Sequence, residues 1–254
     1  MRDSMVTPRS GGTDSDGIPD DELTDFLSLL RELETTGCNL LVVGAARPGL
    51  FTRASASLLG DPETLRYRLL AATDASPRTV VERLPDPSAS PRPLAETTRI
   101  VNHATTPRSV TTTSDSNAPE CISEIPETRV ADPGLEGLET ALVEGVETLG
   151  SDAGDPRPAE LRVGLDSLGC LLDYYETGVV RRCLRTVGEC VRENRGMAHY
   201  VLEESYDSDR VRTLAEDVDA VIEIRSVDSE RHDHDAQQRW HVPNRDLTTD
   251  WVRL

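Results

Sequence analysis

Asn39 to Val43 reads Asn-Leu-Leu-Val-Val, an almost wholly apolar run closed by Gly44. A strand that is apolar on both faces has to be covered twice, so it belongs inside a parallel sheet with helices above and below. The segments around it fit that demand. Asp20 is placed to cap a helix running to Thr36, with Leu23, Phe26, Leu27, Leu30 and Leu33 on one stripe and Gly37 as its stop. After Gly44 the pattern predicts a helix over Phe51 to Leu59, a strand over Arg68 to Thr73 and a helix over Pro77 to Leu84. Further on come a helix (Leu135 to Leu149), a strand (Leu161 to Asp166), a long helix (Gly178 to Glu193), a strand (Met197 to Leu202) and a helix (Asp209 to Ala215). Strands at Ala220 to Val227, Gln238 to Val242 and Trp251 to Leu254 close the chain with no helices between them. The expected fold is a three-layer α/β/α sandwich whose sheet is mostly parallel, with antiparallel C-terminal strands.

Two stretches break the alternation. Residues 1–19 are rich in Gly, Ser, Thr and Asp and are expected to form a disordered acidic tail. Residues 86–126 repeat Pro, Ser and Thr and read as an insertion or linker within a single domain spanning 20–254, with one short strand at Arg99 to His103. The 254 residues carry 46 acidic and 27 basic side chains, for a net charge of −19, and there is no lysine among them. Such a surface disfavours nucleic acid and anionic lipid, because arginines scattered among carboxylates give little electrostatic footprint. The N-terminus lacks the apolar core of a signal peptide, and no apolar run approaches the roughly 20 residues of a membrane span. The expectation is a cytoplasmic protein that does not enter a membrane. Cys38, Cys121, Cys170, Cys183 and Cys190 show no Cys-x-x-Cys spacing and read as small buried hydrophobes in a reducing compartment.

In a parallel α/β sheet, ligands gather where strands end and helices begin, which directs attention to Gly44-Ala45-Ala46-Arg47-Pro48-Gly49-Leu50-Phe51-Thr52. Gly44 and Gly49 have the spacing of the phosphate-binding loop G-x-x-x-x-G-K-[ST], in the matching context of apolar strand, loop and helix. Leu50 and Phe51 stand where that loop carries the lysine that meets the phosphates and the hydroxyl that holds Mg²⁺, and Pro48 removes one backbone N–H from the cradle. The plain alternative is a strand-to-helix turn that needs two glycines.

A second constellation points the same way. Leu161-Arg162-Val163-Gly164-Leu165-Asp166-Ser167 is an apolar strand ending in Asp-Ser, which would present a carboxylate toward a metal. Then follow a long helix, the Gly196-led strand Met197-Ala198-His199-Tyr200-Val201-Leu202, a closing strand Asp217-Val-Asp-Ala-Val-Ile-Glu-Ile and a hairpin containing Arg239-Trp240-His241-Val242. Over residues 37–85 and 126–254 this order resembles the RecA-like (P-loop NTPase) proteins and, within them, the KaiC-like branch. More closely, it is similar to a family of RecA-like proteins of halophilic archaea with no established activity. The resemblance implies ATP and Mg²⁺ as cofactors, with Asp166 and Ser167 as the metal ligands. It also implies a catalytic carboxylate after the strand Leu69-Leu70-Ala71-Ala72-Thr73, where Asp74 holds the place of the family's Glu.

The departures fall on the groups that hydrolysis requires: Leu50 for Lys, Phe51 for Ser or Thr, and Asp74 for Glu. Phosphoryl transfer depends on positioned positive charge and Mg²⁺, so losing both should abolish turnover. The leading expectation is a pseudo-ATPase module with a regulatory, signalling or scaffolding role through a protein partner or self-association. The other is a nucleotide-binding ATPase or kinase-like enzyme with a rearranged site, in which Arg47 and Arg53 supply the cations and Thr52 the hydroxyl. The plain reading of those two arginines is pairing with local carboxylates.

Other chemistry-bearing residues are weaker signals. His232-Asp233-His234-Asp235 offers four donors in a row, yet consecutive residues rarely converge on one ion. His103, His199 and His241 stand isolated in sequence, and His199 reads as a packed core side chain. On the helix from Gly178, Val180, Leu184, Val187 and Val191 form one face, while Arg181, Arg185, Arg192 and Arg195 form a narrow stripe on another. That stripe suits an acidic partner or local pairing with Glu189, Glu193 and other carboxylates. Gly188 in mid-helix costs about 1 kcal/mol against Ala, which points to a close backbone approach there.

Overall fold

The computed structural model describes residues 20–73, 80, 82–103, 124–130, 134–154 and 156–254. Chain order is α1 (Asp20–Thr36), β1 (Cys38–Val43), α2 (Pro48–Leu58), β2 (Tyr67–Ala72), α3 (Leu94–Thr97), β3 (Thr98–His103), β4 (Glu127–Val130), α4 (Leu135–Ala153), β5 (Leu161–Leu165), α5 (Leu168–Tyr174), α6 (Thr177–Glu193), β6 (Met197–Leu202), α7 (Asp209–Ala215), β7 (Ala220–Ser226), β8 (Ala236–Val242), β9 (Leu247–Thr248) and β10 (Val252–Arg253). One mixed sheet holds these strands in the order β10-β8-β7-β1-β6-β5-β2-β3-β4, with β9 paired to β8. Every pairing from β7 to β4 is parallel, and β8 to β10 are antiparallel.

Strand parity divides the core in two. Leu41, Val43, Leu69, Val163, Tyr200 and Val221 face one side, against α4, α5, α6 and α7. Leu40, Val42, Val201, Ile222 and Trp240 face the other, against α1 and α2. Helices on both faces are consistent with the expected three-layer arrangement. β1, β2, β5 and β6 are buried at every position, as expected of strands covered twice.

α6 shows how pattern becomes packing. Val180, Leu184, Val187 and Val191 are buried as their spacing predicts, each contributing about 1.5–3 kcal/mol of apolar burial. The close approach predicted at Gly188 is the contact with β1: a β-carbon there would lie 2.5 Å from Asn39 Nδ2. The arginine stripe pairs locally, although its partners lie beyond α7 rather than at Glu189 and Glu193. Arg181 binds Asp217 and Glu216, and Arg192 binds Asp219 at 3.0 Å.

Several expectations change. The stretch read as an insertion supplies β3, a full sheet strand between β2 and β4, and residues 104–123 of it lie outside the described residues. β4 and α5 were not expected. β4 is an edge strand with only Val130 buried, so its sequence lacks the apolar signature, and α5 is only seven residues long. α4 runs on to Ala153. The N-terminal tail, Cys121 and half of the helix expected at Pro77 to Leu84 (residues 77–79 and 81) lie outside the described residues, and Glu82 to Leu84 form a turn rather than helix. Cys38, Cys183 and Cys190 are buried and Cys170 is half-buried; burial pushes the Cys38 and Cys183 thiols up to about 12. No described helix is long and apolar enough to cross a membrane.

Candidate functional site

The β1–α2 connection sits at the carboxyl ends of the parallel strands. β1 exits to α2 on one face of the sheet and its neighbour β6 exits to α7 on the other, which is the geometry of a topological switch point. The loop is closed down onto the sheet. Gly44 has φ +148°, its N–H donates to the Glu204 carbonyl at 2.8 Å, and a β-carbon there would overlap the Ile224 carbonyl oxygen. Only glycine fits a strand end held this tightly between its neighbours.

α2 begins three residues earlier than the sequence suggested. Arg47 is its N-cap residue and Pro48 takes the first turn, where a missing N–H costs nothing because that group has no helical partner. Gly49 has open space around it, whereas Leu50 and Phe51 turn inward, 4% and 1% exposed, into the core shared with α1 and β7. Thr52 is half-buried. The two positions that would meet phosphate and Mg²⁺ are therefore part of the hydrophobic core.

The two cations of this region are engaged by the chain itself. Arg53 Nη1 lies 2.9 Å from Asp235 Oδ1, and Arg47 Nη2 lies 3.3 Å from Asp235 Oδ2. Arg53 holds the Asp235 carboxyl below the usual carboxylate range. The plain reading of both arginines is the observed one.

Asp166 follows β5, which is separated from β1 by β6 rather than lying next to it. Its carboxylate accepts from the Thr73 backbone N–H at 2.8 Å and from the Thr73 hydroxyl at 2.9 Å. Ser167 caps α5, its hydroxyl accepting from the Cys170 N–H at 3.5 Å. Beside Asp166, Ser55 and Arg83 line a cavity of about 10 Å³, room for roughly one water and far below a ligand pocket of several hundred Å³. Asp74 lies outside the described residues. Among the described residues no three His, Cys, Asp or Glu side chains gather as a metal site. The His232 to Asp235 run accordingly does not converge: His234 bonds Asp233 while Asp235 serves the arginines.

The three histidines that stand alone in sequence have partners in space, His103 Nε2 lying 3.3 Å from the Tyr175 hydroxyl. His199 Nε2 lies 2.7 Å from Ser55 Oγ, both about 1% exposed, and Gly164 makes room for the ring. Burial drives the His199 pKa down to about 3, helped by Arg83 and Arg162. A hydroxyl bonded to a neutral imidazole has the form of a nucleophile and base, but no substrate can reach a pair this deep. His241 stacks on Tyr206 with ring centroids 3.8 Å apart and donates from Nε2 to Glu223 at 2.9 Å, leaving Nδ1 to accept from Thr248 Oγ1 at 3.2 Å. Burial lowers its pKa, against the opposing pull of Glu223. Sequence reading missed these pairings because they join residues far apart in the chain, Ser55 of α2 with His199 of β6, and Tyr206, Glu223 and Thr248 with His241.

The fold and site together define an α/β protein with a mostly parallel sheet and a closed strand-to-helix loop at a switch point. The chain belongs to DUF7504, a family of unknown function, whose pattern it matches over residues 37–224. A comparison with curated proteins gives no match.

Proposed function

We propose that this protein is a RecA-like, KaiC-like module that has given up phosphoryl transfer and acts through protein contacts in a regulatory, signalling or scaffolding role. One observation carries the reading. Leu50 and Phe51, which occupy the places of the phosphate-binding lysine and the Mg²⁺-binding hydroxyl, are buried core residues. Converting them into ligand groups would mean opening the core between α2 and the sheet.

Three further features support it. The loop N–H of Gly44 is spent on Glu204, Arg47 and Arg53 share the Asp235 carboxylate, and Asp166 is spent on Thr73. Gly44, Arg47, Arg53 and Asp166 thus each have a partner within the chain. The alternative, a rearranged ATPase or kinase-like site, requires Asp235 to release both arginines to a bound nucleotide. ATP and Mg²⁺ are its cofactors, and a cytoplasmic setting suits either role. The test of lost catalysis is phosphate release from ATP with Mg²⁺. The expected result is no release above buffer, while turnover abolished by Asp166→Ala would overturn the reading.

A further inference from the structure

The antiparallel strands at the sheet edge have two unlike faces. One carries Ile222, Ile224, Trp240 and Val242 and is packed into the core beneath α1 and α2. On the other, register sets Arg225, Gln237 and Arg253 in one row. Glu223 and Arg239 form the next row, with Trp251 completing it from the residue before β10. Arg225 and Arg253 are exposed and Trp251 is half-buried, so this face is open to solvent.

Its charge runs against the rest of the molecule. Among the described residues of these strands, three arginines share the face with one carboxylate, Glu223, which Arg239 and His241 already bind at 2.7 and 2.9 Å, while Asp207 approaches the face only at its His241 and Tyr206 end. Arg225 has a neutral polar partner, the Gln237 side-chain oxygen at 2.6 and 3.0 Å. Its guanidinium lies 4.0 Å over the Trp251 ring, and that of Arg239 lies 4.5 Å from it. Across the turn, the Asp233 carboxylate feels Arg253 but is bonded to His234. Stacking fixes the guanidinium forks before anything binds, so less rotamer entropy is lost per hydrogen bond they form. Arginine, tryptophan and tyrosine are also the side chains on which binding energy concentrates at protein interfaces.

We infer that this face docks an acidic segment of a partner protein, whose carboxylates take the guanidiniums of Arg225 and Arg253 beside Trp251. The inference names a surface and a partner chemistry for the contact role proposed above and rests on that reading. A long nucleic acid is disfavoured, because beyond the patch its phosphates would run along a chain of net charge −19. A short acidic segment stays within about one Debye length, roughly 8 Å, of the arginines.

The test is fluorescence anisotropy of a short fluorescein-labelled glutamate-rich peptide, with its glutamine counterpart as control. The full chain is used at the lowest KCl that preserves its far-ultraviolet circular dichroism. Saturable binding of the glutamate peptide alone is expected, weakened about tenfold or more by Arg225→Gln with Arg253→Gln. The pair Arg31→Gln and Arg182→Gln removes the same charge from exposed positions elsewhere and should leave binding unchanged. No binding to the native chain, or an equal loss in both pairs, would overturn the inference. So would a single-stranded oligonucleotide that displaces the peptide with the same dependence on Arg225 and Arg253. ATP binding is read at the β1 loop and peptide binding at the edge face, so failure of one is distinguishable from failure of the other.

Discussion

Thr73 donates twice to Asp166, its backbone N–H at 2.8 Å and its hydroxyl at 2.9 Å from the same carboxylate oxygen, and so ties the end of β2 to the end of β5. The same hydroxyl lies 2.7 Å from the Ser167 carbonyl, so the contact spans the turn into α5. Asp166 thereby acts as a clasp between strands. Replacing it with Ala leaves the buried Thr73 N–H without its acceptor, the hydroxyl still reaching the Ser167 carbonyl, and should cost about 1–3 kcal/mol, whereas Asp166→Asn keeps an acceptor and should cost less. Denaturant unfolding with and without Mg²⁺ checks this, the expected loss being the same in both conditions.

The core role of Leu50 and Phe51 makes the converse substitutions informative. Leu50→Lys places an ammonium at a buried position, and Phe51→Thr removes most of a ring that is 1% exposed. The second change alone should cost about 3–5 kcal/mol by analogy with aromatic-to-small substitutions. The double variant is expected to melt well below the native chain and to gain no ATP affinity, as a thermal melt beside a nucleotide titration would show.

His199 gives the acid limb of stability a specific contributor. Its folded pKa, about 3, lies below the ordinary value of 6.5, so the unfolded chain takes up a proton that the folded chain refuses. Stability from this group is fully present above pH 6.5 and is lost as the pH falls from there toward 3. His199→Leu removes the effect. The dependence of unfolding free energy on pH across that window should be shallower in the variant by up to one proton, and equal slopes would contradict the assignment.

Gly188→Ala sets two effects against each other. Helix propensity favours alanine by about 1 kcal/mol, but its β-carbon would meet Asn39 Nδ2 at 2.5 Å, and Asn39 is held by Tyr200. Overpacking costs about 1–3 kcal/mol, so a net loss of stability is expected in a denaturant titration.

Arg68 is fully buried and bonds carbonyl oxygens only. Its Nε donates to Leu59 at 3.0 Å and Nη1 to Arg66 at 3.1 Å, near the end of α2, and burial lowers its pKa to about 10. Arg68→Met leaves these acceptors unmet and should destabilise the chain by about 2–3 kcal/mol, again read from unfolding.

The strands were legible because burial on both faces leaves a mark in the residues themselves. Asn39 to Val43 and Met197 to Leu202 are where the apolar runs place them. α6 was legible for the same reason, since its buried face follows helical spacing. β4 was not, because three of its four residues face solvent, and α5 was too short to show a period. The glycine pair in the β1 loop was visible, but the inward turn of Leu50 and Phe51 depends on α2 starting at Pro48. Contacts set by register, such as Trp251 beside Arg225 and His241 beside Glu223, join residues 26 and 18 apart and carry no local signature. Ser55 and His199 are 144 residues apart.

The central claim is that the β1 loop no longer holds a nucleotide, and equilibrium titration with ATP in molar KCl, with and without Mg²⁺, addresses it directly. The account predicts no binding up to millimolar ATP for the native chain and the same for Asp166→Ala. Micromolar, Mg²⁺-dependent binding that disappears in Asp166→Ala would contradict it and return Arg47, Arg53 and Asp166 to a working phosphate site.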